Sequence, residues 1–254
     1  MLIDTHSHIY STDFIHDLDE VVQRAYSNDV RKIILPNIDS SSVKNLLNLV
    51  DTYPHICIPL MGLHPTSVNH DYQEELQVVE YWLKKRKFYG IGEIGIDLYW
   101  DKSFLEEQIH AFCFQLDLAK QYELPVVIHV RDSFDEVYQV LQEKADGKLT
   151  GVFHSFSGTI EQAQLVIEMG FKIGVNGIVT FKKSGLDQII KEIDPKHLII
   201  ETDSPYLTPS PFRGKRNESS YLVYIAQKIA DLHQMTVGDV AKITTENARK
   251  LFGI

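Results

Sequence analysis

The sequence predicts an α/β fold closed into a (β/α)8, or TIM, barrel, built as a single domain over residues 1–254. Three observations carry this. A short apolar run followed by an amphipathic helical pattern recurs along the chain, the mark of βα units and a parallel sheet. The runs number eight: residues 2–6, 32–36, 57–62, 89–93, 126–130, 151–154, 171–175 and 198–201. The length of 254 residues matches the ~250 typical of one such barrel. No low-complexity block or Pro/Gly/Ser linker divides the chain.

Helical patterns fill the gaps between the runs. The clearest spans 104–121, where Leu105, Ile109, Phe112, Leu116 and Ala119 form one apolar stripe. Ser103 and Glu106 read as a capping box at its start. Ser133 with Glu136, and Thr159 with Gln162, repeat that signature after the fifth and sixth runs. A Pro-rich loop over 204–217 follows the eighth run, then helices over 220–233 and 237–252.

Hydrophobic content of 44% and charged content of 24% are ordinary for a soluble enzyme. The net charge of −10 speaks against a surface that coats nucleic acid nonspecifically, which would be basic. It leaves room for a phosphate substrate met by cations in a local site. Cys57 and Cys113 sit in apolar runs without metal or redox spacing, so both are expected to be reduced core residues. No apolar run reaches transmembrane length and no leader pattern opens the chain, so a cytoplasmic protein is expected.

The polar residues at the ends of the runs carry the chemistry. The first run leads into His6 and His8, two apart on an extended chain and so on one face, with Asp4 beneath them. The third ends near His64, the fourth at Glu93 with Asp97 beyond. The fifth ends at His129 and Arg131, the sixth at His154, and the eighth at Glu201 and Asp203. All lie at C-terminal strand ends, where barrels place their active sites. A lone histidine after an apolar run is usually a satisfied core residue. So many strand ends offering His, Glu or Asp resist that reading, since a buried polar group without a partner costs ~1–3 kcal/mol.

His6, His8, Glu93, His129, His154 and Asp203 make six candidate metal ligands. A single catalytic zinc takes ~3 protein ligands, so six with a central carboxylate suit two ions ~3.5–4 Å apart. His6, His8 and Asp203 would hold one, because the first and eighth strands adjoin in a closed barrel. His129 and His154 would hold the other, with Glu93 bridging. Gly90-x-Gly92-x-x-Gly95 formally matches a dinucleotide fingerprint, but it lies inside a strand and Glu93 would oppose a pyrophosphate. No Walker loop or nucleophile elbow is present.

These segments resemble the TatD family of metal-dependent deoxyribonucleases in the amidohydrolase superfamily. The matching stretches are Asp4-Thr5-His6-Ser7-His8, Gly62-Leu63-His64-Pro65, Gly92-Glu93-Ile94-Gly95-Ile96-Asp97, His154-Ser155-Phe156-Ser157-Gly158 and Glu201-Thr202-Asp203-Ser204-Pro205-Tyr206-Leu207. Pro211, Arg213, Lys215, Arg216 and Asn217, then Asn247-Ala248-x-x-Leu251-Phe252, continue the match across nearly the whole chain. Ser7 and Ser155 stand where relatives often carry cysteine or another small residue. The resemblance implies a two-metal (Mg, Mn or Zn) hydrolase that cleaves phosphodiester bonds of DNA, often from the 3′ end of single strands. Some relatives act on RNA and some on D-aminoacyl-tRNA; a monomer is the default.

On this reading Asp203 is the expected general base, with pure ligation an equal alternative, and Glu93 completes the catalytic pair. Expected substrate contacts are His64, Asp97, Arg131, Arg213 and Arg216. Lys215 shares the basic stretch, and Tyr99, Trp100 and Phe212 stand in mouth loops able to stack on bases. Glu201 and Asp4 suit the orientation of histidines. A metal-dependent amidohydrolase or tRNA deacylase is the competing reading. Many binuclear members of that superfamily bridge with a modified lysine, and Glu93 in that place favours the nuclease branch. A non-catalytic binder would be expected to have lost some ligand types.

Overall fold

The computed structural model describes residues 1–144 and 146–254. Among the described residues eight strands run in chain order: β1 (Leu2–Asp4), β2 (Val30–Leu35), β3 (Cys57–Pro59), β4 (Ile91–Asp97), β5 (Val126–Arg131), β6 (Gly151–Phe153), β7 (Lys172–Val175) and β8 (Leu198–Ile200). The helices are α1 (Leu18–Ser27), α2 (Val43–Thr52), α3 (Tyr72–Lys85), α4 (Leu105–Tyr122), α5 (Phe134–Lys144), α6 (Ile160–Glu168), α7 (Leu186–Glu192), α8 (Leu222–His233) and α9 (Val237–Phe252). All strand pairs are parallel, in the orders β1-β2-β3 and β4-β5-β6-β7-β8. Parallel bridges Met61–Ile91 and Ser7–Ser204 join the two sets and close the ring. The expected barrel is therefore present.

Alternation divides the apolar side chains into two cores. Ile3, Ile34, Ile58, Leu60, Val127, Val152 and Ile199 fill the barrel interior, which Ala248 and Phe252 of α9 seal from below. The larger core lies between strands and helices and includes Ile33, Leu35, Ile94, Ile96, Phe112 and Leu116. Each such side chain contributes roughly 1.5–3 kcal/mol on burial. Asn247 fixes the seal by donating Nδ2–H bonds to Leu198 O (2.7 Å) and Pro195 O (3.1 Å). With the N-terminal end dry and plugged, polar chemistry is confined to the opposite mouth.

Several boundaries differ from expectation. Strand β4 continues to Asp97 instead of stopping at Glu93. Ile94 and Ile96 belong to the outer core, so Glu93 and Asp97 fall on the inner side of one continuous strand. Strands β1, β6 and β8 are shorter than expected, and His6, His154 and Glu201 lie just beyond their regular ends. Those residues remain ordered because Thr5 N donates to Ile200 O (3.1 Å) and His154 N to Ile128 O (3.0 Å).

The capping box of Thr159 and Gln162 forms as expected. That of Ser103 and Glu106 does not, because Asp101 Oδ1 takes both the Ser103 amide and hydroxyl. Ser133 turns its hydroxyl to Ile96 O, tying α5 to β4. An unforeseen capping box, Thr236 with Asp239, starts α9. Among the described residues no helix is long and apolar enough to cross a membrane.

Gly95 explains part of the glycine spacing. It adopts φ +140°, and a Cβ there would lie 2.1 Å from His129 O. The glycines of β4 serve strand contact, not a pyrophosphate. Gly95→Ala should cost on the order of 2–4 kcal/mol through backbone strain and overpacking. In a chain of this size that lowers Tm by roughly 5–15 °C, readable by calorimetry; an unchanged Tm would contradict the close β4–β5 approach.

Candidate metal centre

Glu93 stands at the centre of the mouth, 2% exposed. Its backbone is gripped by Asn37, which accepts from Glu93 N (3.1 Å) and donates its own N–H to Gly92 O (3.1 Å). The two carboxylate oxygens face different partners. Oε2 lies 3.0 Å from His6 Nε2 and 3.7 Å from His8 Nε2. Oε1 lies 2.8 Å from His129 Nδ1, 3.3 Å from His64 Nε2 and 3.6 Å from His154 Nε2. Asp203 Oδ1 approaches His6 and His8 Nε2 at 3.8 and 3.7 Å. The rings of His6 and His154 stack with centroids 3.5 Å apart.

All six residues expected as ligands are thus brought together, along with His64. They fall into three overlapping clusters: His6–His8–Asp203, His6–Glu93–His154 and His64–Glu93–His129. The first is the expected trio. In the others, His154 sits with His6 as well as with Glu93, and His64 sits beside His129.

Hydrogen bonds on the far side of each ring show which nitrogen is free to bind. Tyr10 OH donates to Pro36 O (2.6 Å) and so accepts from His8 Nδ1–H (2.8 Å), leaving the His8 Nε2 lone pair facing the centre. Asp97 Oδ2 takes His129 Nε2–H (2.8 Å), leaving Nδ1 towards Glu93. Glu201 Oε1 is 2.9 Å from His154 Nδ1, off the line of a good hydrogen bond but near enough to hold a proton there. His64 is the reverse: Thr66 N–H donates to its Nδ1 (3.1 Å), so neutral His64 presents Nε2–H inward as a donor.

His6 and His8 Nε2 lie only 3.1 Å apart, near the ~3.0–3.4 Å separating two ligands that each sit ~2.1 Å from one ion. Buried lone pairs converging on a carboxylate oxygen are the donor set a divalent cation completes. The residues fit a metal.

Charge is finely balanced here. Burial pushes Asp203 up to about 7 and His8 down to about 4, and it also drives His6 well below its usual value. Burial opposes ionisation of Glu93, but His64, His6 and His154 outweigh it and hold the carboxyl well below the carboxylate range. Burial would lower His154 too, yet Glu201 and Glu93 raise it to about 10.

Other expected contacts are placed differently. Asp97 is buried at the edge of the cavity, where it holds His129 Nε2–H and accepts from the amides of Tyr99 (3.0 Å) and Trp100 (3.3 Å), so it positions a histidine. Arg216 is committed to Asp17 (2.8 and 2.6 Å) and Asp13 O (2.7 Å), bracing the loop after β8 against the start of α1. Arg213 lies outside the cavity lining, with its guanidinium 3.5 Å from the Phe181 ring centroid. Phe212 stacks on Tyr221 at 4.5 Å and is not a free platform. Asp4 binds Thr202 N (2.8 Å) and Oγ1 (2.6 Å), not a histidine; burial raises it to about 7. Arg131 does face the cavity, over Tyr99 at 3.7 Å.

The cavity above Glu93 has a volume of ≈ 590 Å³ and is lined by His8, His64, Trp100, Arg131, Asp203 and Tyr206 among others. Tyr10 and Asn37 were not singled out from the sequence. Each acts on a residue on another strand or loop, and nothing in local spacing marks such a partner.

A family model described as TatD related DNase matches residues 3–253. A Bacillus subtilis (strain 168) protein called "Uncharacterized metal-dependent hydrolase YabD" is 39% identical over 255 residues, covering 100% of each chain. A Citrobacter rodentium protein named "3'-5' ssDNA/RNA exonuclease TatD" is 32% identical over 259 residues, covering 100% of this chain and 98% of its own. The crystal structure of YjjV, a TatD homolog from Escherichia coli K12, superimposes with a TM-score of 0.93 at 30% identity, covering 100% of this chain and 98% of that one. The chain belongs to the TatD-related DNase family and is a metal-dependent hydrolase.

Proposed function

We propose that the protein hydrolyses phosphodiester bonds of DNA from the ends of single strands, using two divalent ions held at the barrel mouth. The observation that carries this is the divided environment of Glu93. One oxygen faces His6 and His8, the other His129 and His154. Glu93 with His6, His8 and Asp203 would hold one ion, and Glu93 with His129 and His154 the other. Imidazole-rich donors suit Zn, and the carboxylates suit Mn or Mg. The relative named as an ssDNA/RNA exonuclease supports a nucleic-acid substrate.

When bound, such ions lower the pKa of water and offset charge developing on a phosphoryl group. The protein's own groups do the rest. Asp203 lines the cavity and accepts the proton of the attacking water. His64, with Nε2–H turned inward, donates to a phosphate oxygen or to the departing alcohol oxygen as its bond to phosphorus breaks. Asp97, Glu201 and Tyr10 fix ring orientation, which keeps lone pairs aimed at the centre. The amidohydrolase alternative loses its bridging group here, since none of the described residues lining the cavity is a lysine.

End-labelled single-stranded DNA and a D-aminoacyl-tRNA, assayed side by side, test the reading. Chelation should abolish DNA cleavage and Mn²⁺ should restore it, whereas turnover of the tRNA alone would overturn the proposal. Asp203→Asn should lower kcat by about 10²–10⁴-fold; full activity would remove Asp203 as base. Tyr10→Phe takes away the acceptor for His8 Nδ1–H and should weaken metal binding by roughly 10–100-fold, read by competition with a chromogenic chelator.

A further inference from the structure

The barrel mouth is electrically lopsided. In the closed ring β4 and β8 stand four places apart and so on opposite sides. The cavity is walled by Trp100 and Arg131 on the β4–β5 side and by Ile178, Tyr206 and Leu207 on the β7–β8 side. On the first side Trp100 is 71% exposed and Tyr99 54%. The Arg131 guanidinium backs both, 3.7 Å from the Tyr99 ring centroid and 5.3 Å from that of Trp100. A neighbouring cleft that shares Arg131 and His154 is edged by Asp132, Asp135 and Glu136. That side is aromatic at the cavity, with the one cation Arg131 under the rings and three carboxylates beyond it.

The opposite rim is basic. Lys182 and Lys183 follow Phe181, and Arg213 lies over the Phe181 ring at 3.5 Å. Lys215 stands 5.5 Å from the Phe212 ring centroid. Ser210 N donates to Thr180 Oγ1 (2.9 Å) and ties the two loops together. All four cations are exposed, and none pairs with a carboxylate among the described residues, whereas neighbouring Arg216 is neutralised by Asp17. In a chain of net charge −10 such a group acts locally, because salt limits its reach to ~8–10 Å.

We propose that a single strand crosses the mouth in one sense only. Its terminal base stacks on the Trp100–Tyr99 wall, its scissile phosphate lies over Glu93, and the remaining polyanion leaves over Lys182, Lys183, Arg213 and Lys215. A base is an uncharged π-surface and tolerates the acidic rim. A phosphate backbone meets three carboxylates against the single cation Arg131 there, and is drawn instead to the four cations opposite. The proposal rests on the nuclease reading and adds where the free end and the polymer go.

The test compares a dinucleotide, too short to reach the basic rim, with a single-stranded 20-mer. For Lys182→Glu/Lys183→Glu, the ratio of kcat/KM for the 20-mer to that for the dinucleotide should fall about tenfold or more. The salt dependence of 20-mer binding should lose roughly 0.7 in logarithmic slope per phosphate contact removed. Lys182→Arg/Lys183→Arg should keep the wild-type ratio. Trp100→Ala should raise KM for both substrates by about fivefold to a hundredfold, the worth of one stacked base. Thermal melts confirm that these surface variants fold. A ratio and salt slope unmoved by charge reversal, with wild type cleaving both substrates, would overturn the strand path alone. Failure of the metal-loaded wild type to cleave either would remove the nuclease reading, and the path with it.

Discussion

Everything at the mouth answers to one buried carboxylate. Glu93 is almost fully enclosed, and an isolated charge there would be prohibitively costly. Five imidazoles approach its two oxygens, and they make the ionised form stable. The same imidazoles cannot all be protonated without repelling one another, and the lone pairs that His8 Nε2 and His129 Nδ1 turn to the centre suit a cation. The carboxylate gathers the histidines, and together they form the donor set of a metal-dependent hydrolase.

The fold delivers this arrangement through strand contacts that leave little slack. Gly95 lets β4 press against β5 beside His129. Asn37, just past β2, clasps the Gly92–Glu93 backbone. Glu201 lies across Gly174 of β7, where a Cβ would meet Oε2 at 2.8 Å, and reaches the His154 ring and Ser155 N. At the other end α9 closes the barrel with Phe252. The interior therefore grades from a dry apolar plug to a polar, cation-seeking mouth over a few residues of each strand. That gradient is why short strands suffice.

Much of this was legible in the sequence. Alternation of Val127 with Ile128, and of Ile199 with Ile200, sorts inward from outward, and the same alternation carries His129 and Glu201 to the inner side. The convergence of His6, His8, Glu93, His129, His154 and Asp203 follows from strand ends meeting on one face. What stayed hidden depends on partners remote in the chain. Tyr10 behind His8, Asp97 behind His129 and Asp17 opposite Arg216 are matters of tertiary contact. Asp97 and Arg216 were read as substrate contacts without these partners, since an acid at a strand end or a guanidinium in a mouth loop carries the same local signature whether free or engaged. The Ser103 cap failed for a local reason: Asp101, two residues away, accepts from both its amide and its hydroxyl.

The central claim is that Glu93 divides the centre into two cation sites. Anomalous diffraction from Mn²⁺-loaded crystals tests it most directly. Two peaks about 3.5–4 Å apart, one beside His6 and His8 and one beside His129, with a Glu93 oxygen on each, are the expected result. A single peak, or a pair that Glu93 does not touch, would contradict it.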